Sequence, residues 1–243
     1  MNGFQRPVDM QRIVVFSPHL DDAALSACDH ILRWKSTCSV SVWTIFTSFE
    51  TDILSDYQLQ FMQRINLRSV AELQQRRVEE DVRAMVMMDV EYRHLGFTDA
   101  AFRTADGKLL YPDVKSLFSG CPSLRDAALR NKLELVLSEA ISPSTTLVVP
   151  LSIGQHCDHI IVKNIAEKLC DQRQLNYFVD IPYARNPRKW SWNQLQAFLR
   201  NHRSCMPLSS FNRSILSCYE SQMPFLFRGR PLFPEIILGP LAE

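Results

Sequence analysis

The chain has 243 residues, 46% of them hydrophobic and 22% charged, and a formal net charge of +1. This size allows one large α/β domain spanning residues 1–243, and the even charge, without a contiguous basic run, excludes nucleic acid as an expected partner. No stretch is long and apolar enough to cross a bilayer, so no membrane partner is expected.

Residues 1–7 lack the apolar core of a signal peptide, so none is expected. The seven cysteines are scattered and form no C-x-x-C pair. Free thiols in a reducing cytoplasm is the plain reading. The sequence leaves the oligomeric state open, with a homo-oligomer compatible.

In chain order, residues 12–18 form a strand built on Ile13-Val14-Val15-Phe16, and 23–35 a helix. Residues 38–47, rich in β-branched and aromatic side chains, give a second strand. Residues 49–65 read as a loop or short-helix lid, 66–88 as the longest helix, and 90–95 as a short strand stopped by Gly96. Residues 98–121 carry little periodicity and read as a long loop, a place where function concentrates. Pro122-Ser123 opens a helix to about residue 141. Then come a buried strand at 145–151, a helix at 157–171, a strand at 176–183, helices at 191–200 and 213–221, and a closing apolar run at Ile236-Ile237-Leu238. Strands separated by helices imply a Rossmann-like, mostly parallel sheet with helices on both faces.

Two polar clusters follow buried strands: Ser17-Pro18-His19-Leu20-Asp21-Asp22 after the first, and Gln155-His156-Cys157-Asp158-His159 after residues 145–151. Charge at the end of a buried strand is costly unless it is paired or binds a metal. In open parallel sheets ligands bind beyond the carboxyl ends of the strands, where the strand order reverses. If the two strands are neighbours, the clusters meet there.

His19 and Asp22, three apart across a strand-to-helix turn, can aim at one point, and His159 can add a third ligand. Two histidines and a carboxylate with open positions fit catalytic zinc, and fit non-haem iron(II) equally. Asp21 adds a base for the attacking water. His156 adds a group to face the developing oxyanion, with Asp158 nearby to hold its tautomer. Metal, base and electrophile together describe hydrolysis.

At these residues the chain resembles the PIG-L/LmbE-like zinc N-deacetylases, whose motifs H-x-D-D and H-x-D-H stand here as His19-Leu20-Asp21-Asp22 and His156-Cys157-Asp158-His159. The resemblance implies zinc on His19, Asp22 and His159, with Asp21 as general base. It implies His156 as oxyanion stabiliser supported by Asp158. Arg77-x-x-Glu80-x-x-x-Ala84, Leu95-Gly96-Phe97-Thr98-Asp99 and Tyr219-Glu220-Ser221-Gln222 resemble further family motifs. Through them Arg77 and Asp99 become candidate substrate contacts. Some members carry a Tyr two residues before H-x-D-H. Here that position is Gly154, and Tyr183 is the candidate substitute.

The implied activity is removal of an N-acetyl, or other N-acyl, group from a small amino sugar or glycoside. The alternatives are an amidase on a larger amino-sugar conjugate, an iron(II) oxidoreductase, and a sugar-binding protein whose catalysis has decayed. His30, His94 and His202 lack partners in sequence and receive no role.

Overall fold

The computed structural model describes residues 11–51, 53–201, 203–227 and 234–242. Residues 1–7, where no signal peptide is expected, and His202 lie outside them.

Ile13 to Phe16 are apolar without a break, and an extended chain sends successive side chains to opposite faces. Both faces of strand β1 (Arg12–Ser17) must therefore be covered. Ile13 and Val15 pack with Ala23, Ala27 and Ile31 of helix α1 (Asp22–Trp34). On the same face lie Met85 and Met88 of α3 (Val70–Met88), which follows α2 (Asp56–Arg64). Val14 and Phe16 face the other way, where they share a core with Leu133 and Leu137 of α5 (Ala127–Ser138) and Ile161, Val162 and Ile165 of α6 (Cys157–Leu169).

Among the described residues the main sheet has 7 strands. β3 (Glu91–Thr98), β2 (Ser39–Ser48), β1, β6 (Thr145–Pro150) and β7 (Leu175–Phe178) run parallel in that order. β9 (Glu235–Leu238) and then β8 (Arg203–Met206) extend it antiparallel. β4 (Thr104–Ala105) and β5 (Lys108–Leu109) form a separate hairpin, followed by α4 (Val114–Leu117). The sheet is thus mixed, with mostly parallel strands. From β1 the chain builds outward through β2 and β3, then returns to place β6 on the opposite side of β1. β1 and β6 pair in register from Arg12↔Thr145 to Val15↔Val148, and the crevice of the switch opens between their carboxyl ends.

Several boundaries differ from those read in the sequence, each for a local reason. Gly96 does not stop β3: it takes φ +72 at a register shift, and the strand continues to Thr98. α3 begins at Val70 because Ser69 caps it by accepting from the Glu72 N–H at 3.1 Å. The helix expected from Pro122 opens as a 3₁₀ turn, and α5 proper starts only after Asp126, whose carboxylate is engaged by Tyr111 and Arg103.

The helix expected at 213–221 is α8 (Ser210–Leu216), set by the Ser209 cap. Its expected end is drawn to α3 instead: Tyr219 donates to Asp81 at 2.7 Å and Ser221 to Glu80 at 2.6 Å. The lid region holds α2, opened by a Ser55/Gln58 capping box. β8 alternates exposed and half-buried residues, too polar to read as a strand. The expected helix at 191–200 is α7 (Trp192–Arg200), and a short α9 (Met223–Leu226) follows Gln222. His94 donates to the Asp81 carboxylate at 2.8 Å, and His30 pairs with Glu235 at 3.2 Å, both structural contacts.

Candidate metal centre and its cleft

The turn after β1 is tied by Ser17, whose hydroxyl donates to the His19 carbonyl at 2.8 Å and accepts from the Ala23 N–H at 3.0 Å. The turn projects His19, Asp21 and Asp22 past the sheet edge as α1 begins. After β6 the backbone makes a tight loop, with positive φ at Ser152, Gly154 and Gln155, before α6 starts. That loop brings His156 and His159 alongside His19: the ring centroids lie 4.8 Å and 5.2 Å away.

Asp22 stands between its two expected co-ligands, His19 and His159. Its Oδ2 is 3.3 Å from His19 Nδ1 and 3.2 Å from His159 Nε2. The opposite nitrogen of each ring has its own carboxylate. His159 Nδ1 lies 2.7 Å from Asp180 Oδ1, and His19 Nε2 lies 3.0 Å from Asp158 Oδ2. With both outer nitrogens protonated and donating, Nδ1 of His19 and Nε2 of His159 direct lone pairs at Asp22. Three acceptor atoms so close repel one another unless a cation, proton or metal, lies among them.

The electrostatics agree. Burial lowers the His159 pKa, but Asp22 and the hydrogen bond to Asp180 outweigh it and raise the pKa to about 9. Burial likewise lowers that of His19, and Asp99, Asp158 and Asp22 lift it well above the ordinary value. Asp22, pushed up by burial, is held well below its usual range by the two histidines. The donor set therefore fits a divalent cation.

Among the described residues, two groups of ligand atoms lie within 4.8 Å of one another, His19/His156/His159 and His19/Asp99/Asp158, and neither includes Asp22. Hydrogen bonding separates them from the Asp22 set. His156 Nδ1 accepts from the Asp158 N–H at 3.3 Å, and burial with the neighbouring His19 holds its pKa well below the ordinary value. His156 is therefore neutral with its proton on Nε2, which makes it a donor rather than a ligand. Asp158 is already saturated: it accepts from the Ala100 N–H at 2.9 Å, pairs with His19, and takes a hydrogen bond from Arg103.

Asp158 thus differs from its expected part. Its backbone N–H, not its carboxylate, fixes the His156 tautomer, and the carboxylate orients His19. At the N-terminus of α6 the side chain points back toward the loop at 98–121, whose Arg103 meets it. Arg103 is 5% exposed, pairs also with Asp126 at 3.1 Å, and lies against the rings of Phe46 and Tyr111.

Asp21 lines the cleft, and its pKa is pushed up to about 6 by burial, with the Arg77 guanidinium opposing the rise. Arg77 Nη2 is 3.4 Å from Asp21 Oδ2 and donates to the Leu20 carbonyl at 3.1 Å. Arg77 also lines the cleft, so its position suits both a substrate contact and restraint of Asp21. Asp99 caps a 3₁₀ turn through the Ala101 N–H at 2.8 Å, yet its other oxygen faces His19 at 3.6 Å on the cleft wall.

The cleft encloses ≈ 930 Å³ including its mouth, and Phe49, Phe102, Phe118 and Tyr183 form much of its apolar wall. Tyr183 fills the space a side chain at 154 would need: a Cβ on Gly154 would lie 2.9 Å from Tyr183 Cγ.

Replacing Arg77 by Met removes the cation that lowers the Asp21 pKa. For Asp21 to serve as a base it must be ionised, so activity that depends on it would fall as pH drops through its pKa. The acid limb of kcat/KM is expected to move to higher pH in this variant, read from a pH–rate profile. An unmoved limb with a changed KM would leave Arg77 only a substrate contact.

Residues 14–170 match the family model described as PIG-L: GlcNAc-PI de-N-acetylase. Among characterised relatives, 2'-N-acetylparomamine deacetylase of Streptomyces fradiae is 28% identical over 209 residues, covering 84% of this chain and 67% of that protein. The zinc-inhibited form of teicoplanin deacetylase superposes with a TM-score of 0.72 at 21% identity, covering 93% of this chain and 97% of that one. A deacetylase–teicoplanin complex superposes with a TM-score of 0.70 at 20% identity, covering 94% and 97%.

Proposed function

This chain belongs to the PIG-L family, and from that premise we propose that it is a metal-dependent N-deacetylase of amino sugars, with zinc as its metal. The observation that carries the reading is the convergence of His19 Nδ1 and His159 Nε2 on one oxygen of Asp22, with Asp21 and His156 lining the same cleft. The acetylparomamine deacetylase among its relatives supports an N-acetyl amino sugar, free or conjugated, as substrate. All seven cysteines are free, which supports a reducing cytoplasm.

An ion held by His19, Asp22 and His159 would supply Lewis acidity, polarising the amide carbonyl and acidifying water. Asp21 takes the proton from the attacking water. His156, neutral and protonated on Nε2, donates to the oxygen that gains negative charge as the carbonyl becomes tetrahedral. Asp21 then delivers its proton to the departing nitrogen, because an unprotonated amine leaves poorly. Asp180 and Asp158 hold the His159 and His19 rings in their tautomers, while Arg77 and Asp99 contact the sugar from the cleft wall.

The test is release of free amine from a panel of N-acetylglucosaminyl compounds, with metal at stoichiometric level and with a chelator. Amine release that the chelator abolishes and zinc restores is expected. No release from any amide in the panel, or release indifferent to chelation, would overturn the reading. His19→Ala should purify without metal by elemental analysis. Asp180→Ala, which leaves His159 free to rotate, is expected to weaken metal affinity roughly 10- to 100-fold, measured by competition with a chromophoric chelator.

A further inference from the structure

We infer that α7 and the basic residues around it form a docking surface for an anionic lipid membrane, with the helix lying flat among the headgroups. One side of α7 is committed to the protein. Gln194 donates to the Leu151 and Ser152 carbonyls at 3.2 Å and 2.6 Å, and Ala197 and Phe198 pack against Leu151, Ile153, Val179 and Leu238. Trp192, Leu195 and Leu199, spaced i, i+3, i+7, share a different face. They are 69%, 38% and 62% exposed. Scattered surface apolar residues need no account, but an aligned set that includes a tryptophan on a short helix does.

The charge around this ridge identifies what covers it. Residues 181–209, which lead into α7 and run through the strand after it, contain Arg185, Arg188, Lys189, Arg200 and Arg203 and no Asp or Glu, in a chain whose net charge is only +1. The cations are interspersed, so no contiguous run marks them. Arg188, Arg200 and Arg203 are exposed, and Arg203 lies 4.9 Å over the Phe198 ring, directly beside α7, while Glu167, in the groove along the helix, is paired with Lys163 at 2.8 Å. A second copy of the same face would bring like charges together. An anionic headgroup layer instead offers the cations their counter-charges and lets the apolar ridge sink to the acyl boundary, where tryptophan is favoured.

No helix of the described residues is long and apolar enough to cross a membrane. The expectation of no membrane partner rested on that span length, and a surface-lying helix needs none. The same segment supplies Pro182 and Tyr183 to the cleft wall, so docking would orient the cleft relative to the lipid. The proposal does not depend on the chemistry performed there.

The experiment is flotation of the full chain with vesicles of phosphatidylcholine alone, and with vesicles of equal parts phosphatidylcholine and phosphatidylglycerol. Flotation with the anionic vesicles at low salt, lost at high salt and absent with phosphatidylcholine alone, is the expected result. Trp192→Glu/Leu199→Glu should abolish it. Arg188→Glu/Arg200→Glu should weaken partitioning by roughly tenfold or more. Circular dichroism melts check that these surface variants remain folded, and hydrolysis of a water-soluble substrate should be unchanged in them. Three results would overturn the proposal: no flotation on anionic vesicles, flotation indifferent to the apolar double variant, or a wild-type dimer that this variant dissociates.

Discussion

Asp21→Asn is expected to lower kcat by roughly 10²- to 10⁴-fold while leaving bound metal unchanged. The two effects separate because Asp21 is not among the atoms that converge on Asp22. Its carboxylate lines the cleft and is restrained from the side by Arg77 at 3.4 Å. Asn keeps the size and one acceptor oxygen but cannot take up a proton. The histidines and Asp22 stay as they were, so elemental analysis should match the native protein. An Asp21→Asn enzyme with near-native kcat would remove Asp21 from the reaction, and another base would have to be sought in the cleft. Loss of metal together with activity would make Asp21 a ligand instead.

Arg103→Met is expected to destabilise the fold by about 3–5 kcal/mol, read from urea unfolding. Arg103 is buried and joins Asp158 to Asp126, and Tyr111 donates to Asp126 from the other side. Burial raises the Asp158 pKa, but Arg103 outweighs it and holds the carboxyl well below its usual range. Removing the cation strands two buried carboxylates with less compensation. The penalty is large because the remaining charges stay buried, not because the pair itself adds so much. A loss below about 1 kcal/mol would mean that the carboxylates relax toward water and that Arg103 is no keystone of the loop at 98–121. Arg103→Lys keeps the charge but not the planar fork, so it should recover only part of the loss.

The centre was legible where apolar runs ended in charge. Ile13 to Phe16 and Leu147 to Val149 announce buried strands, and the residues just after them carry His and Asp that such strands cannot leave unpaired. The pairing of β1 with β6 does the rest. Asp180 gives the same signal more faintly, a lone carboxylate after Phe178-Val179. Its partner His159 is joined to it only through the neighbouring strands β6 and β7.

Arg103 gives no signal at all. It sits in a loop without periodicity, and its partners Asp126 and Asp158 come from elements whose approach no spacing encodes. The direction of the Asp158 side chain was hidden for the same reason: the motif suggests His156 as its neighbour, while the fold supplies Arg103 and His19. The edge strand β8 and its neighbour β9 show the limit on the fold side, where short, partly polar segments join the sheet through long-range pairing alone.

The contact between Gly154 and Tyr183 has a consequence for how this chain can change. A Cβ at 154 would meet the Tyr183 ring at Cγ and Cδ1 and also its Cβ, at 2.9, 3.2 and 3.1 Å, so rotating the ring cannot clear the way. The backbone there, at φ +89, adds a second obstacle to any side chain. An aromatic at one position therefore forbids an aromatic at the other, and the two sites are epistatic. A Tyr can enter at 154 only in a background where 183 has already shrunk, and each single step passes through an intermediate with a hole or a clash in the cleft wall.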